Sequence, residues 1–283
     1  MFKLGESKSP DVTAAYSKQL WQAKIPHQVV SKGGIDEIWL LRQQDLDIAL
    51  SLVTQPDQQV VAESSGTSPI VASLWQAPVV WLFILLSVAI SFLTGFAQNV
   101  EMFRLFTIVD VLIEGDKGWA VPFEYTLKNN EWWRLVSPVF VHMGAMHIIF
   151  NMLWLWELGR KIEMYSGKLS FFGLVMVSAV ISNLAQYLSG SILFGGMSGV
   201  VYALLGYVVV YDRLSKVPVF NLQKGVVIFM LVWLVLGFTQ FTEVIGLGSI
   251  ANTAHLVGLI TGAAVAALVR LISPSSKQMA NPS

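Results

Sequence analysis

The sequence of 283 residues contains no cysteine. Disulfides, thiolate metal sites and cysteine nucleophiles are excluded together, which leaves Ser, Thr, His, Asp and Glu to carry any chemistry. Charge is scarce as well. Asp, Glu, Lys and Arg make up 13% of the chain, and their signs cancel to a formal net charge of +0. Nucleic-acid binding needs clustered basic surface, so that class of partner is set aside. Glycine-rich phosphate loops are lacking. No apolar run lies near the N-terminus, so a cleavable signal peptide is not expected, and the first membrane helix serves as an uncleaved anchor.

What remains is apolar. Hydrophobic residues make up 54% of the chain and mean hydropathy is +0.62, well beyond average soluble usage. An all-α, polytopic membrane protein is expected, preceded by a small soluble α+β domain. Residues 1–55 form that domain, with a helix over Asp11–Lys24, strands at His27–Val30 and Glu37–Leu41 flanking a Gly33-Gly34 turn, and a helix near Asp45–Val53. His27 reads as a surface residue. Residues 56–76, with Ser64-Ser65-Gly66-Thr67-Ser68-Pro69, read as a linker. The membrane domain covers 77–272 and a tail covers 273–283.

Six spans are expected, at 77–97, 138–158, 169–188, 198–212, 226–242 and 251–271; most approach the roughly 20 residues a bilayer requires. The fourth is short. Basic residues near span ends (Arg160, Lys161 and Lys168; Arg213, Lys216 and Lys224; Arg270 and Lys277) place those loops and both termini in the cytoplasm. Residues 98–137, with more acidic than basic side chains, then face outward.

Spans two, four and six run in one direction under this topology, so depth can be counted from their basic ends. At about 1.5 Å per residue, Ser198 lies roughly 22 Å from Arg213, His255 roughly 22 Å from Arg270 and His147 roughly 20 Å from Arg160. The three share one level. A fourth span that starts at Ser198 leaves residues 189–197 as irregular backbone, tolerable at depth only when buried or lining water.

Intramembrane ionisable groups are costly and usually functional, which makes His255 more informative than Ser198 taken alone. His255, Gly258 and Gly262 share a helical face of small residues, and Gly199, Ala203 and Gly206 follow Ser198 on the fourth span. Close packing of those faces brings Ser198 within hydrogen-bond reach of His255, as a base-activated serine requires. His142, His147 and Asn151 are candidate oxyanion donors, joined by the Ser198 amide at its helix N-terminus. Gly196-Met197-Ser198-Gly199 is not the G-x-S-x-G elbow, because residue 200 is valine.

Other readings of these residues remain open. Ser198 can be a packing residue and His255 a structural hydrogen bonder. His142, His147 and His255 could hold a metal, although no H-E-x-x-H pattern is present. Buried histidines could also line a proton or solute path. Trp154, Trp156 and Trp233 read as packing or interfacial anchors.

Trp133-Arg134, the run His142-Met143-Gly144-Ala145-Met146-His147-Ile148-Ile149-Phe150-Asn151, Gly196-Met197-Ser198-Gly199, and Ala254-His255 with Gly258 and Gly262 together resemble the rhomboid family of intramembrane serine proteases. The likeness is to the bacterial six-helix form with a cytoplasmic N-terminal domain, and runs from about Glu131 to Leu268. It implies Ser198 as nucleophile and His255 as its base, a dyad without an acidic third member. His147, Asn151 and the Ser198 amide would hold the oxyanion, while Tyr202 would pack on and orient His255. The outer loop with Trp133-Arg134 would lie partly in the membrane. Span five would gate substrate entry, with Phe150 and Trp233 at the contact, and a loop over Glu243–Ser249 would cap the site. The resemblance implies no metal and no cofactor. It implies transmembrane protein substrates, contact with membrane lipid, and a location in a bacterial inner membrane.

Overall fold

In the computed structural model, residues 2–23, 25–42, 45–53, 76–114, 117–215, 218–239 and 250–272 are described. The linker at 56–76 (apart from Gln76), the cap segment Glu243–Ser249, the last residues of the fifth span and the tail at 273–283 lie outside them. The described chain is mostly helical, with two small sheets, and falls into two units divided after Ala77.

The first unit runs β1 (Phe2–Ser7), α1 (Pro10–Gln22), β2 (His27–Lys32), β3 (Ile35–Leu40), α2 (Leu46–Val53). Its three strands are antiparallel in the order β1-β3-β2. The Gly33-Gly34 turn takes positive φ at both residues, 60° and 79°, which suits glycine and joins β2 to β3. Leu20, Ile25, Ile38, Leu40 and Ala49 close the core. Strand β1 was absent from the sequence reading. Only Phe2 and Leu4 show apolar alternation in it, and its pairing with β3 shifts register between Lys3 and Gly5. His27 is a second correction. It is 6% exposed, with Nδ1 2.9 Å from the Ile25 carbonyl and Nε2 2.8 Å from Ser17 Oγ.

The second unit starts with α3 (Pro78–Leu93), whose first amides at Val79 and Val80 donate to the Glu163 carboxylate at 3.0 and 2.8 Å. There follow α4 (Val100–Arg104), a hairpin of β4 (Val111–Glu114) and β5 (Lys117–Ala120), and α5 (Phe123–Lys128). The hairpin was not expected. Two 3-10 turns, Trp132–Leu135 and Ser137–Phe140, lead to α6 (Ala145–Trp154), which passes through a π turn at Leu155–Gly159 into α7 (Arg160–Ser166). The second expected span therefore begins its helix at Ala145 and not at residue 138. Pro138 and Gly144 interrupt an apolar run that otherwise passes for helix.

Helices α8 (Lys168–Leu188), α9 (Ser198–Leu214), α10 (Lys224–Gly237) and α11 (Asn252–Ile272) complete the unit. α9 is buried over every residue from Gly199 to Val208, as befits a helix apolar on all sides. α8 and α11 pack against it, and both are long and apolar enough to cross a membrane. α3 and α10 are shorter apolar helices. The exterior exposes Leu82, Leu85, Ile228, Val235, Ile260 and Leu268, whereas His142, Asn151, Ser182, Asn183, Gln186 and His255 are buried. The core remains largely apolar, and the apolar exterior beside these buried polar groups suits a hydrocarbon surround.

Candidate active site

The turn before α9 is built on glycine. Gly196 has φ +113°, a region side chains rarely enter, and its amide donates to the Pro138 carbonyl at 3.0 Å. A Cβ on Gly195 would lie 2.8 Å from the Val141 carbonyl oxygen, and one on Gly196 would lie 2.6 Å from His147 Nε2. The next amide, Met197 N–H, donates to His142 Nε2 at 3.3 Å. Ser198 is then the first residue of α9, so its N–H belongs to the opening turn, whose amides lack intrahelical acceptors.

α11 supplies the partner. His255 sits in its first turn, 4% exposed, with Nε2 2.6 Å from Ser198 Oγ. For the hydroxyl to donate, Nε2 must be unprotonated and Nδ1 must hold the ring proton. Nδ1 is buried and has no hydrogen-bond partner among the described residues. The Tyr202 ring lies 4.9 Å from the imidazole at 31°, and its hydroxyl donates to the Met230 carbonyl in α10 at 2.8 Å. This contact between α9 and α11 depends on absent side chains. A Cβ on Gly258 would strike the Gly199 carbonyl, one on Gly262 the Ala203 carbonyl, and one on Gly206 the Leu259 carbonyl. The two helices run parallel.

α6 brings His147 and Asn151 to the same place. The space a Gly196 side chain would need is occupied by His147 Nε2, with Asn151 Nδ2 3.8 Å from that Cβ position. Asn151, 5% exposed, donates from Nδ2 to the His147 carbonyl at 2.9 Å, which leaves its second amide hydrogen free to turn inward. His142 is placed differently from the sequence reading. Its Nε2 accepts from Met197 N–H, and its Nδ1 lies 3.2 Å from the Phe140 carbonyl and 3.3 Å from Ser91 Oγ, so both ring nitrogens are engaged. It holds the turn before Ser198 and is not a free donor.

Among the described residues no group of three or more His, Asp or Glu could hold a metal ion. Nor does the Nε2 contact of His255 leave that nitrogen free for one. Phe150 is exposed at 51%, while the Trp154 ring meets Phe229 of α10 at 6.3 Å and Phe229 stacks on Trp233 at 6.4 Å.

The sequence reading names Arg134 only within the Trp133-Arg134 pair and does not name Asn183, Gln186 or Asn252, yet each bonds to backbone of another segment. Arg134, 3% exposed, donates from Nη1 to the carbonyls of Arg104 at 2.6 Å and Thr107 at 3.0 Å, and from Nε to Glu131 at 2.6 Å. Asn183 donates to the Leu135 carbonyl at 2.9 Å, and Gln186 accepts from Ala254 N–H at 3.0 Å. Asn252 donates to the Gly237 carbonyl. The spacing of Ser178, Ser182, Asn183 and Gln186 marks one polar face on an apolar helix, a signal present in the sequence.

A family model described as the Rhomboid domain matches residues 129–272, about half of the chain. The chain belongs to the rhomboid family. The Rhomboid protease GlpG of Salmonella choleraesuis is 41% identical over 147 residues, covering 52% of this chain and 51% of that protein. The same coverage is found for proteins of the same name from Klebsiella pneumoniae subsp. pneumoniae at 41% identity and from Salmonella newport at 40%. The chain spans about half the length of the curated relatives it matches. Rhomboid proteins are integral membrane proteins, in keeping with the apolar helices and exterior of the second unit.

Proposed function

We propose that this rhomboid protein is an intramembrane serine endopeptidase that cleaves transmembrane segments of membrane proteins near their outer end. The single observation that carries the reading is the 2.6 Å contact between Ser198 Oγ and His255 Nε2, side chains contributed by separate helices into a largely buried site. A nucleophile bonded to a base is the arrangement that activates a serine, and the curated relatives bear the name of proteases.

In the proposed reaction His255 takes the Ser198 hydroxyl proton as Oγ bonds to the scissile carbonyl carbon. The carbonyl oxygen becomes an oxyanion, accepting hydrogen bonds from His147, Asn151 and the Ser198 N–H. His255 then gives its proton to the departing amide nitrogen as the C–N bond breaks, leaving an acyl-enzyme. Water attacks the acyl carbon, passes a proton to His255, and the carboxylic product leaves as Ser198 regains its hydrogen. Tyr202, on the face of the imidazole, orients it throughout. Scissile bonds fall where the substrate helix unwinds readily, since an intact helix holds its carbonyls in hydrogen bonds.

In the bilayer, the proposal places six spans with both termini in the cytoplasm of a bacterial inner membrane. The exposed apolar faces meet lipid. Residues 1–55 form a separate cytoplasmic domain. Labelling of the purified protein by a fluorophosphonate tests the chemistry: wild type reacts, and Ser198→Ala and His255→Ala do not. Continued cleavage of a membrane substrate by Ser198→Ala rejects the assignment, and solute flux in liposomes without labelling favours a transport path instead.

A further inference from the structure

Three of the amides opening α11 find acceptors of different kinds. Asn252 N–H donates to the Ile250 carbonyl at 2.8 Å and His255 N–H to the Ala251 carbonyl at 3.2 Å. Ala254 N–H, between them, goes to a side chain of another helix, the Gln186 Oε1 of α8 at 3.0 Å. Gln186 is 7% exposed, so this is a buried amide committed to one backbone group immediately before the imidazole-bearing residue.

One turn earlier on the same face of α8 lies Ser182, 1% exposed. A Cβ on Gly199 would lie 2.8 Å from Ser182 Oγ, so α8 presses against α9 at the residue following Ser198. The same Cβ position is 3.3 Å from the Ala254 carbonyl oxygen. Ala254 is thus held from α8 through its N–H and abuts α9 through its carbonyl. Two positions four residues apart, about 6 Å along one helix, touch the immediate neighbours of both reacting residues.

We propose that Gln186 is a positioning residue for His255. It fixes the peptide unit ahead of the imidazole, so that Nε2 stays on the Ser198 hydroxyl through both proton transfers. The inference rests on the reading of Ser198 and His255 as nucleophile and base. Removing the Oε1 acceptor leaves Ala254 N–H buried without a partner, and the opening turn of α11 shifts to find another. A displacement of about 1 Å at a reacting group lowers rate on the order of 10²-fold without altering the surfaces that bind substrate.

The experiment compares wild type, Gln186→Leu, Gln186→Met and Gln186→Glu, each purified as a monodisperse full chain. Four quantities are measured: kcat and KM on a transmembrane substrate, fluorophosphonate labelling rate, thermal unfolding midpoint, and hydrogen exchange over residues 250–256. The expected result is a kcat lowered about 10- to 100-fold in Leu and Met at unchanged KM, with labelling slowed in parallel. Exchange over 250–256 is faster, and Glu, which retains an acceptor oxygen, recovers most of the rate. Wild-type kcat per folded molecule in either Leu or Met, or a loss that Glu does not relieve, overturns the proposal and leaves Gln186 a packing residue. Should Leu and Met both fail to fold, Glu decides alone: its unaltered kcat and exchange support the proposal, and a kcat as low as that of His255→Ala overturns it. Absence of labelling in wild type would defeat the nucleophile reading itself, a different outcome.

Discussion

Gly196 and His147 occupy one another's space: the side chain that Gly196 lacks would fall 2.6 Å from the Nε2 atom of the imidazole. The backbone there has φ +113°, so an alanine is strained before it collides. Gly196→Ala is expected to abolish cleavage and to destabilise the second unit by ~1–3 kcal/mol. Labelling rate and unfolding midpoint check it together, and a variant that labels at the wild-type rate refutes it.

His147 and Asn151 differ from His142 in what they are free to do. Asn151→Ala and His147→Ala are expected to lower kcat about 10²- to 10³-fold each, with KM little changed, because the lost donors act on charge that develops in the transition state. His142→Ala frees Met197 N–H and is expected to lower the unfolding midpoint as well as the rate. Steady-state kinetics on one substrate beside melting curves separate the two patterns.

Tyr202 makes two contacts that substitution can divide. Tyr202→Phe keeps the ring on His255 and loses the bond to the Met230 carbonyl, while Tyr202→Ala loses both. Cleavage is expected to fall in the order wild type, Phe, Ala. Equal activity in Phe and Ala would show that the ring contact is without consequence.

Arg134 stabilises the segment ahead of α6 by bonding to two backbone carbonyls and a carboxylate from a nearly inaccessible position. Arg134→Ala leaves those acceptors unpaired and is expected to cost ~2–4 kcal/mol. Arg134→Lys recovers only part, since an ammonium cannot reach in the same fork geometry. Thermal unfolding in a fixed detergent measures both.

His27 gives the first unit a pH dependence. Burial holds its pKa below the ordinary imidazole value, opposed in part by the bond to the Ile25 carbonyl. The folded state therefore binds the proton less readily than the unfolded chain, so stability rises with pH below about 6.5 and is lost as pH falls. Protection factors in β2 and β3, taken relative to the intrinsic exchange rate at each pH, are expected to fall between pH 7.5 and pH 5 in wild type and to change less in His27→Phe.

The sequence was informative where a residue type is expensive in its setting. A histidine in an apolar helix and glycines on a shared face were enough to pair α9 with α11, because burial cost and close approach leave few arrangements. The difference between His142 and His147 was not legible. Both are histidines near one helix start, and only the contacts at the two ring nitrogens of His142 separate their roles. Strand β1 and the β4–β5 hairpin were missed for a different reason: strands of four to six residues with few alternating apolar positions carry little period-2 signal. Gln186 could have been noticed on the polar face of α8, but its partner is a backbone amide, which no side-chain pattern announces.

Gly258 meets the Gly199 carbonyl and Gly262 the Ala203 carbonyl, so the seam advances four residues on each helix without slack. Sliding α11 by a single position would drive a methyl or larger group into the opposing main chain. The gap between hydroxyl and imidazole is therefore gauged by glycines as much as two turns away. Variants that never approach a substrate can silence this protein by spoiling that gauge, and screens for loss of activity should find them along the whole seam.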